Sequence, residues 1–99
     1  MNYKNQISDR VKILLIDEDE SIFYLIRRVL QRENYRLYTS TSGRSGMEMS
    51  TSICPDLILM DNKFSDMEGI TLIQWFREWT DCPIIILSER LSLIHISEP

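Results

Sequence analysis

Three apolar runs punctuate the chain, and each stops at a side chain bearing oxygen: Val11-Lys12-Ile13-Leu14-Leu15-Ile16 at Asp17, Leu57-Ile58-Leu59-Met60 at Asp61, and Ile84-Ile85-Ile86-Leu87 at Ser88. They lack the polar alternation of a strand with one wet face, so they predict strands covered on both sides, as in parallel sheets. Between the first two, Ile22, Leu25, Ile26, Val29 and Leu30 recur at helical spacing with Arg27, Arg28, Gln31 and Arg32 among them, predicting an amphipathic helix that opens near Glu20 and Ser21. Tyr35 to Thr39 is β-prone, Ser40-Thr41-Ser42-Gly43 reads as a loop, and a fainter helical pattern follows over Arg44 to Ser52. Pro55-Asp56 introduces the Leu57 run, and a loop spans Asn62 to Glu68. After Gly69, residues Ile70, Ile73 and Phe76, with the edge of Trp75, form a helical face to about Trp79, broken by Asp81-Cys82-Pro83. This alternation predicts an α/β fold, a doubly wound parallel sheet with helices on both faces.

Composition narrows the function classes. At 99 residues the chain is one small domain, and 43% hydrophobic with 26% charged residues is a globular balance. Eleven basic against fifteen acidic side chains give a net charge of −4, without the basic surplus of a domain that grips nucleic-acid phosphates. Cys54 and Cys82 each precede a proline and have no nearby Cys or His, so neither a zinc site nor a disulfide framework is expected, in keeping with a reducing cytoplasm. Met1 to Arg10 is a polar extension without an apolar signal core, and no run approaches the roughly 18 apolar residues of a membrane span. The expectation is a cytoplasmic protein that makes no membrane contact.

Ligands of open parallel sheets bind beyond the carboxyl ends of the strands, where the strand order reverses. That rule gathers Asp17 and Glu18 from the first strand, Asp61 from the third and Ser88 from the fourth into one pocket. Carboxylates a few ångströms apart raise one another's pKa unless a cation neutralises them. Mg²⁺, a hard ion that takes oxygen ligands and keeps several waters, suits such a place.

Taken together and in order, Ile13-Leu14-Leu15-Ile16-Asp17-Glu18-Asp19-Glu20, Pro55-Asp56-Leu57-Ile58-Leu59-Met60-Asp61, Asp66-Met67-Glu68-Gly69 and Pro83-Ile84-Ile85-Ile86-Leu87-Ser88 make residues 11–90 resemble the receiver domain of bacterial two-component response regulators, a flavodoxin-like, CheY-like fold. The resemblance implies that Asp61 is the phosphoacceptor for a sensor histidine kinase, that Ser88 is the switch hydroxyl, and that Mg²⁺ is held by Asp17, Glu18, Asp61 and the backbone carbonyl of Lys63. It also implies a regulator rather than an enzyme. Leu72 to Trp79 and Cys82 to Arg90 resemble the OmpR-like winged-helix class, potassium-transport operon regulators among them. A transcription factor of that class would touch DNA only through an output domain outside this chain, and could form a homodimer when intact.

The chain departs from the family pattern in four places. Glu18 stands where the family usually has Asp, Phe64-Ser65 replaces Leu-Pro, and Glu89 replaces a small residue after the switch hydroxyl. The family's lysine after a fifth strand has no counterpart, so the expected sheet is 2-1-3-4 with the fifth strand missing and the Ile84 strand as an open edge. Leu91 to Pro99 resembles the in-frame translation of a transposase-end sequencing adapter and is expected to be a non-native tail outside the fold. Two other readings stay open. A haloacid-dehalogenase-like phosphohydrolase would use Asp17 as nucleophile and Asp19 as acid/base. A pseudo-receiver would bind partners without being phosphorylated.

Overall fold

Strand-forming side chains decide the architecture. Val, Ile and Leu fit a pleated surface, and the runs that carry them become β1 (Val11–Ile16), β3 (Leu57–Asp61) and β4 (Ile84–Leu87), with Tyr35–Ser40 as β2 and Leu93–Ile96 as β5. The helices are α1 (Ser21–Leu30), α2 (Gly43–Ile53) and α3 (Gly69–Arg77). A computed structural model describes residues 10–31, 34–87 and 93–96, the last four by their backbone alone.

The sheet order is β2-β1-β3-β4-β5. The first four strands are parallel and take the order expected from the sequence, with Ile13 beside Leu37 and Leu57, and Ile58 beside Ile84. Asp56 fastens the start of β3 to β1: its carboxylate accepts the Lys12 N–H at 2.8 Å and its own N–H donates to the Lys12 carbonyl at 2.8 Å.

The fifth position corrects one expectation. It is not vacant: Leu93–Ile96 lies antiparallel along β4, with Leu87 opposite Leu93 and Ile84 opposite Ile96. The segment read as a tail outside the fold therefore occupies the sheet edge. Its direction follows from chain length, because a parallel return needs a crossover of about a dozen residues or more, and only 88–92 separate the two strands.

Both faces of the sheet are apolar, as continuous strands require. Leu14, Ile16, Ile58, Met60, Ile84 and Ile86 pack with Leu72, Ile73 and Phe76 of α3, and Met47, Met49 and Ile53 of α2 lie against them. Ile13, Leu15 and Leu59 form the opposite face with Phe23 of α1, joined by Ile22, Ile26 and Leu30. This differs in detail from the sequence reading. Leu25 and Val29 are 50% and 66% exposed, and Phe23 takes the buried place instead. One sheet face can bury only the stripe of a helix that points at it, and in α1 that stripe runs through Ile22, Phe23, Ile26 and Leu30. In α3, likewise, Ile70 faces outward and Leu72 is buried.

Candidate functional site: an acidic rim at the carboxyl ends of β1 and β3

β1 and β3 are neighbours in register, Ile16 beside Met60, so the residues that follow, Asp17 just past β1 and Asp61 at the last position of β3, stand side by side. Asp17 is buried, and its N–H donates to the Ser40 carbonyl at 3.0 Å, which fixes the end of β1 against β2. Its Oδ1 accepts the Asp19 N–H at 2.8 Å. Burial pushes the Asp17 carboxyl above its ordinary pKa of 3.8; the Asp19 amide opposes this, and the negative charge of Asp61, followed by Asp19 and Glu18, pushes it higher. Asp61 accepts the Asn62 N–H on Oδ1 at 2.8 Å, which orients its carboxylate.

Glu18 is exposed and is drawn across the rim: its Oε2 accepts the Ser65 N–H at 2.6 Å. The loop it touches is closed on itself. Lys63 and Glu68 form an antiparallel bridge, Phe64 N–H donates to the Met67 carbonyl at 2.9 Å, and Gly69 N–H donates to the Asn62 carbonyl at 3.0 Å. The approach at Gly69 is so close that a Cβ there would collide with the Asn62 backbone. Phe64 is buried in the core and anchors the loop from below.

Asp66 was legible as part of a motif but not in its role. Its two carboxylate oxygens accept the N–H groups of Gly43 at 3.1 Å and Arg44 at 2.9 Å, capping α2 from 22 and 23 residues away. Those amides hold its carboxyl below 3.8, with the Arg44 N–H the largest cause. Ser42 completes the cap by accepting the Ser45 N–H at 3.1 Å. The available signal was a helix opening Gly43-Arg44-Ser45 whose first amides need acceptors.

Asp19 is spoken for at the start of α1. Its Oδ1 accepts the Ser21 hydroxyl at 2.7 Å and the Ser21 N–H at 3.0 Å, and these bonds hold its pKa below 3.8.

Ser88 lies outside the described residues. Among the described residues, no group of three or more His, Cys, Asp or Glu side chains is placed to hold a metal ion. The rim instead offers the two carboxylates of Asp17 and Asp61, together with backbone carbonyls of the following loop. Hard oxygen donors whose mutual repulsion a cation would relieve fit an ion that takes one or two carboxylates and keeps its waters, as Mg²⁺ does.

The model of the response regulator receiver domain matches residues 13–98. The chain belongs to that family. It is 30% identical over 78 residues to the transcriptional regulatory protein KdpE of Mycobacterium tuberculosis, covering 79% of this chain and 34% of the relative. It is 34% identical over 79 residues to KdpE of Staphylococcus aureus, covering 80% and 34%. Among solved structures, the signal receiver domain of a LuxO repressor protein from Vibrio parahaemolyticus superposes with a TM-score of 0.75 at 25% identity, covering 80% of this chain and 62% of that one. The chain spans about a third of the length of the curated relatives it matches. It is thus a receiver domain of the two-component response regulator type, similar to KdpE-like transcriptional regulators, and its relatives are mostly regulators rather than enzymes. Receiver domains conventionally use Mg²⁺ at the phosphorylation site. Among the described residues, no helix is long and apolar enough to cross a membrane.

Proposed function

We propose that this receiver domain takes a phosphoryl group from the phosphohistidine of a sensor histidine kinase onto Asp61. The observation that carries this reading is the pairing of Asp61 with the buried Asp17 at the ends of adjacent strands. A strand-terminal carboxylate is held rigidly, and rigid positioning of the attacking atom is most of what phosphoryl transfer asks of a protein. One Asp61 oxygen attacks phosphorus, the P–N bond breaks, and its electron pair leaves with the imidazole, giving an aspartyl phosphate. The Asn62 N–H on Oδ1 leaves Oδ2 as the attacking atom. Asp17, Asp61 and the Lys63 carbonyl are the proposed metal donors, with Glu18 contributing through Oε1. Those residues would hold Mg²⁺, which would supply positive charge against the oxygens of the transferring phosphoryl group.

Ser88 is the proposed switch hydroxyl, donating to a phosphoryl oxygen. The added charge, about −1.5 to −2 with three acceptor oxygens, favours the backbone arrangement that brings donors closest. In the whole protein, a cytoplasmic transcriptional regulator, DNA contact belongs to an output domain and the kinase to the receiver.

The test is incubation with acetyl phosphate and Mg²⁺, followed by intact-mass measurement. Wild-type chain should gain one phosphoryl group, Asp61→Asn none, and Asp17→Asn less than wild type. Labelling that survives in Asp61→Asn and disappears in Asp17→Asn would replace this reading with the phosphohydrolase.

A further inference from the structure

The loop between Asp61 and Gly69 is pinned from three directions: Phe64 is buried beneath it, Asp66 grips the start of α2, and Glu18 reaches over from the end of β1 to the Ser65 amide. The Glu18 contact joins positions 47 apart at 2.6 Å, a short charge-assisted bond from a backbone donor. It sets conditions on both residues. The acceptor must sit on an arm as long as glutamate's, and residue 65 must keep its N–H, which proline lacks. Ser65 contributes through its backbone, since its N–H is the donor in this contact.

We propose that Glu18 is a positioning residue acting through Ser65. It sets the course of the segment that carries Asp61 and the Lys63 carbonyl, and Glu18 and residue 65 form one interdependent pair. The proposal rests on reading Asp61 as the phosphoacceptor. Glu18 then has a mechanical task on Oε2 beside whatever Oε1 does at the rim. An aspartate at 18 would fall short of the amide, and a proline at 65 would leave the glutamate without its donor. Together the two changes remove donor and acceptor at once, while the proline's fixed φ stiffens the loop by another route.

The experiment uses the full chain and four variants: Glu18→Asp, Ser65→Pro, their combination, and Ser65→Ala. Two quantities are read: hydrogen exchange at the Phe64 and Asp66 amides without phosphodonor, and the rate of labelling by acetyl phosphate at saturating Mg²⁺. Ser65→Ala keeps the donor and should stay within about twofold of wild type. Glu18→Asp and Ser65→Pro should each speed exchange and slow labelling by about three- to tenfold, and the double variant should fall at least about threefold short of the product of those factors. If Ser65→Pro does not fold, Glu18→Gln decides: it keeps an acceptor on the same arm and should preserve loop exchange where Glu18→Asp does not. Factors that multiply, Ser65→Ala as harmful as Ser65→Pro, or loop exchange as fast in Glu18→Gln as in Glu18→Asp would overturn the pairing. A wild-type chain that takes no label would overturn the phosphoacceptor reading instead, with the exchange cycle still judging the pair.

Discussion

The Asp66 carboxylate accepts the Arg44 N–H at 2.9 Å, so the loop after β3 supplies the cap for the first turn of α2. Asp66→Ala removes an acceptor from two amides at once. A lost cap of this kind costs about 0.5–2 kcal/mol, and exposure of this carboxylate places the expected loss at the lower end. The dependence on pH has a definite sign. Because the folded state holds this carboxyl below 3.8, its contribution is complete above that value and fades as acid titrates the folded group. Urea melts of wild type and Asp66→Ala should differ at pH 7 and converge at strongly acid pH.

Asp17 behaves in the opposite sense. Its folded pKa is raised, so ionised Asp17 opposes folding above that raised pKa, and the opposition is gone below 3.8. Without Mg²⁺, Asp17→Asn should raise Tm at pH 7 by a few degrees, given that 1 kcal/mol moves the Tm of a domain this size by roughly 4–8 °C. The advantage should vanish at acid pH. Adding Mg²⁺ should raise the Tm of wild type and leave the variant nearly unchanged.

Cys54 closes α2 with φ 50° and ψ 70°, its N–H donating to the Ser50 carbonyl at 2.9 Å. An L-residue pays in the left-handed region where glycine does not, by about 1–2 kcal/mol, and glycine's greater freedom in the unfolded chain returns part of the difference. Cys54→Gly should therefore stabilise the domain by up to about 1 kcal/mol, read as a shift of the denaturation midpoint at constant slope.

Gly69→Ala tests the closure of the loop. The added methyl would press on the Asn62 backbone, which has no flexible side chain to yield. A loss of about 1–3 kcal/mol is expected, with changed amide shifts from Asn62 to Gly69 in the NMR spectrum.

The parallel strands were legible because Ile13 to Ile16, Leu57 to Met60 and Ile84 to Leu87 are apolar without interruption, a pattern that leaves little choice of environment. The pairing of Asp17 with Asp61 followed from the rule that sites lie at the carboxyl rim. α2 was harder to see, since it buries small residues, Gly43, Gly46 and Ser50, rather than an apolar stripe. The buried stripe of α1 lies about one position from the one its spacing suggests, because Leu25 and Val29 share helical spacing with residues that do face the sheet. Contacts such as Glu18 with Ser65 left no trace in the sequence: both residues are polar and exposed, and only the folded strands bring them together. β5 was not legible for a different reason: it is four residues long and pairs antiparallel, outside the parallel pattern set by the other strands.

The reversal of β5 has a practical geometry. Ile96 comes to rest beside Ile84, the first residue of β4, at the base of the sheet and a full strand length from Asp61. A fluorophore or affinity handle attached to residue 96 would be delivered to that base, leaving the acidic rim uncovered.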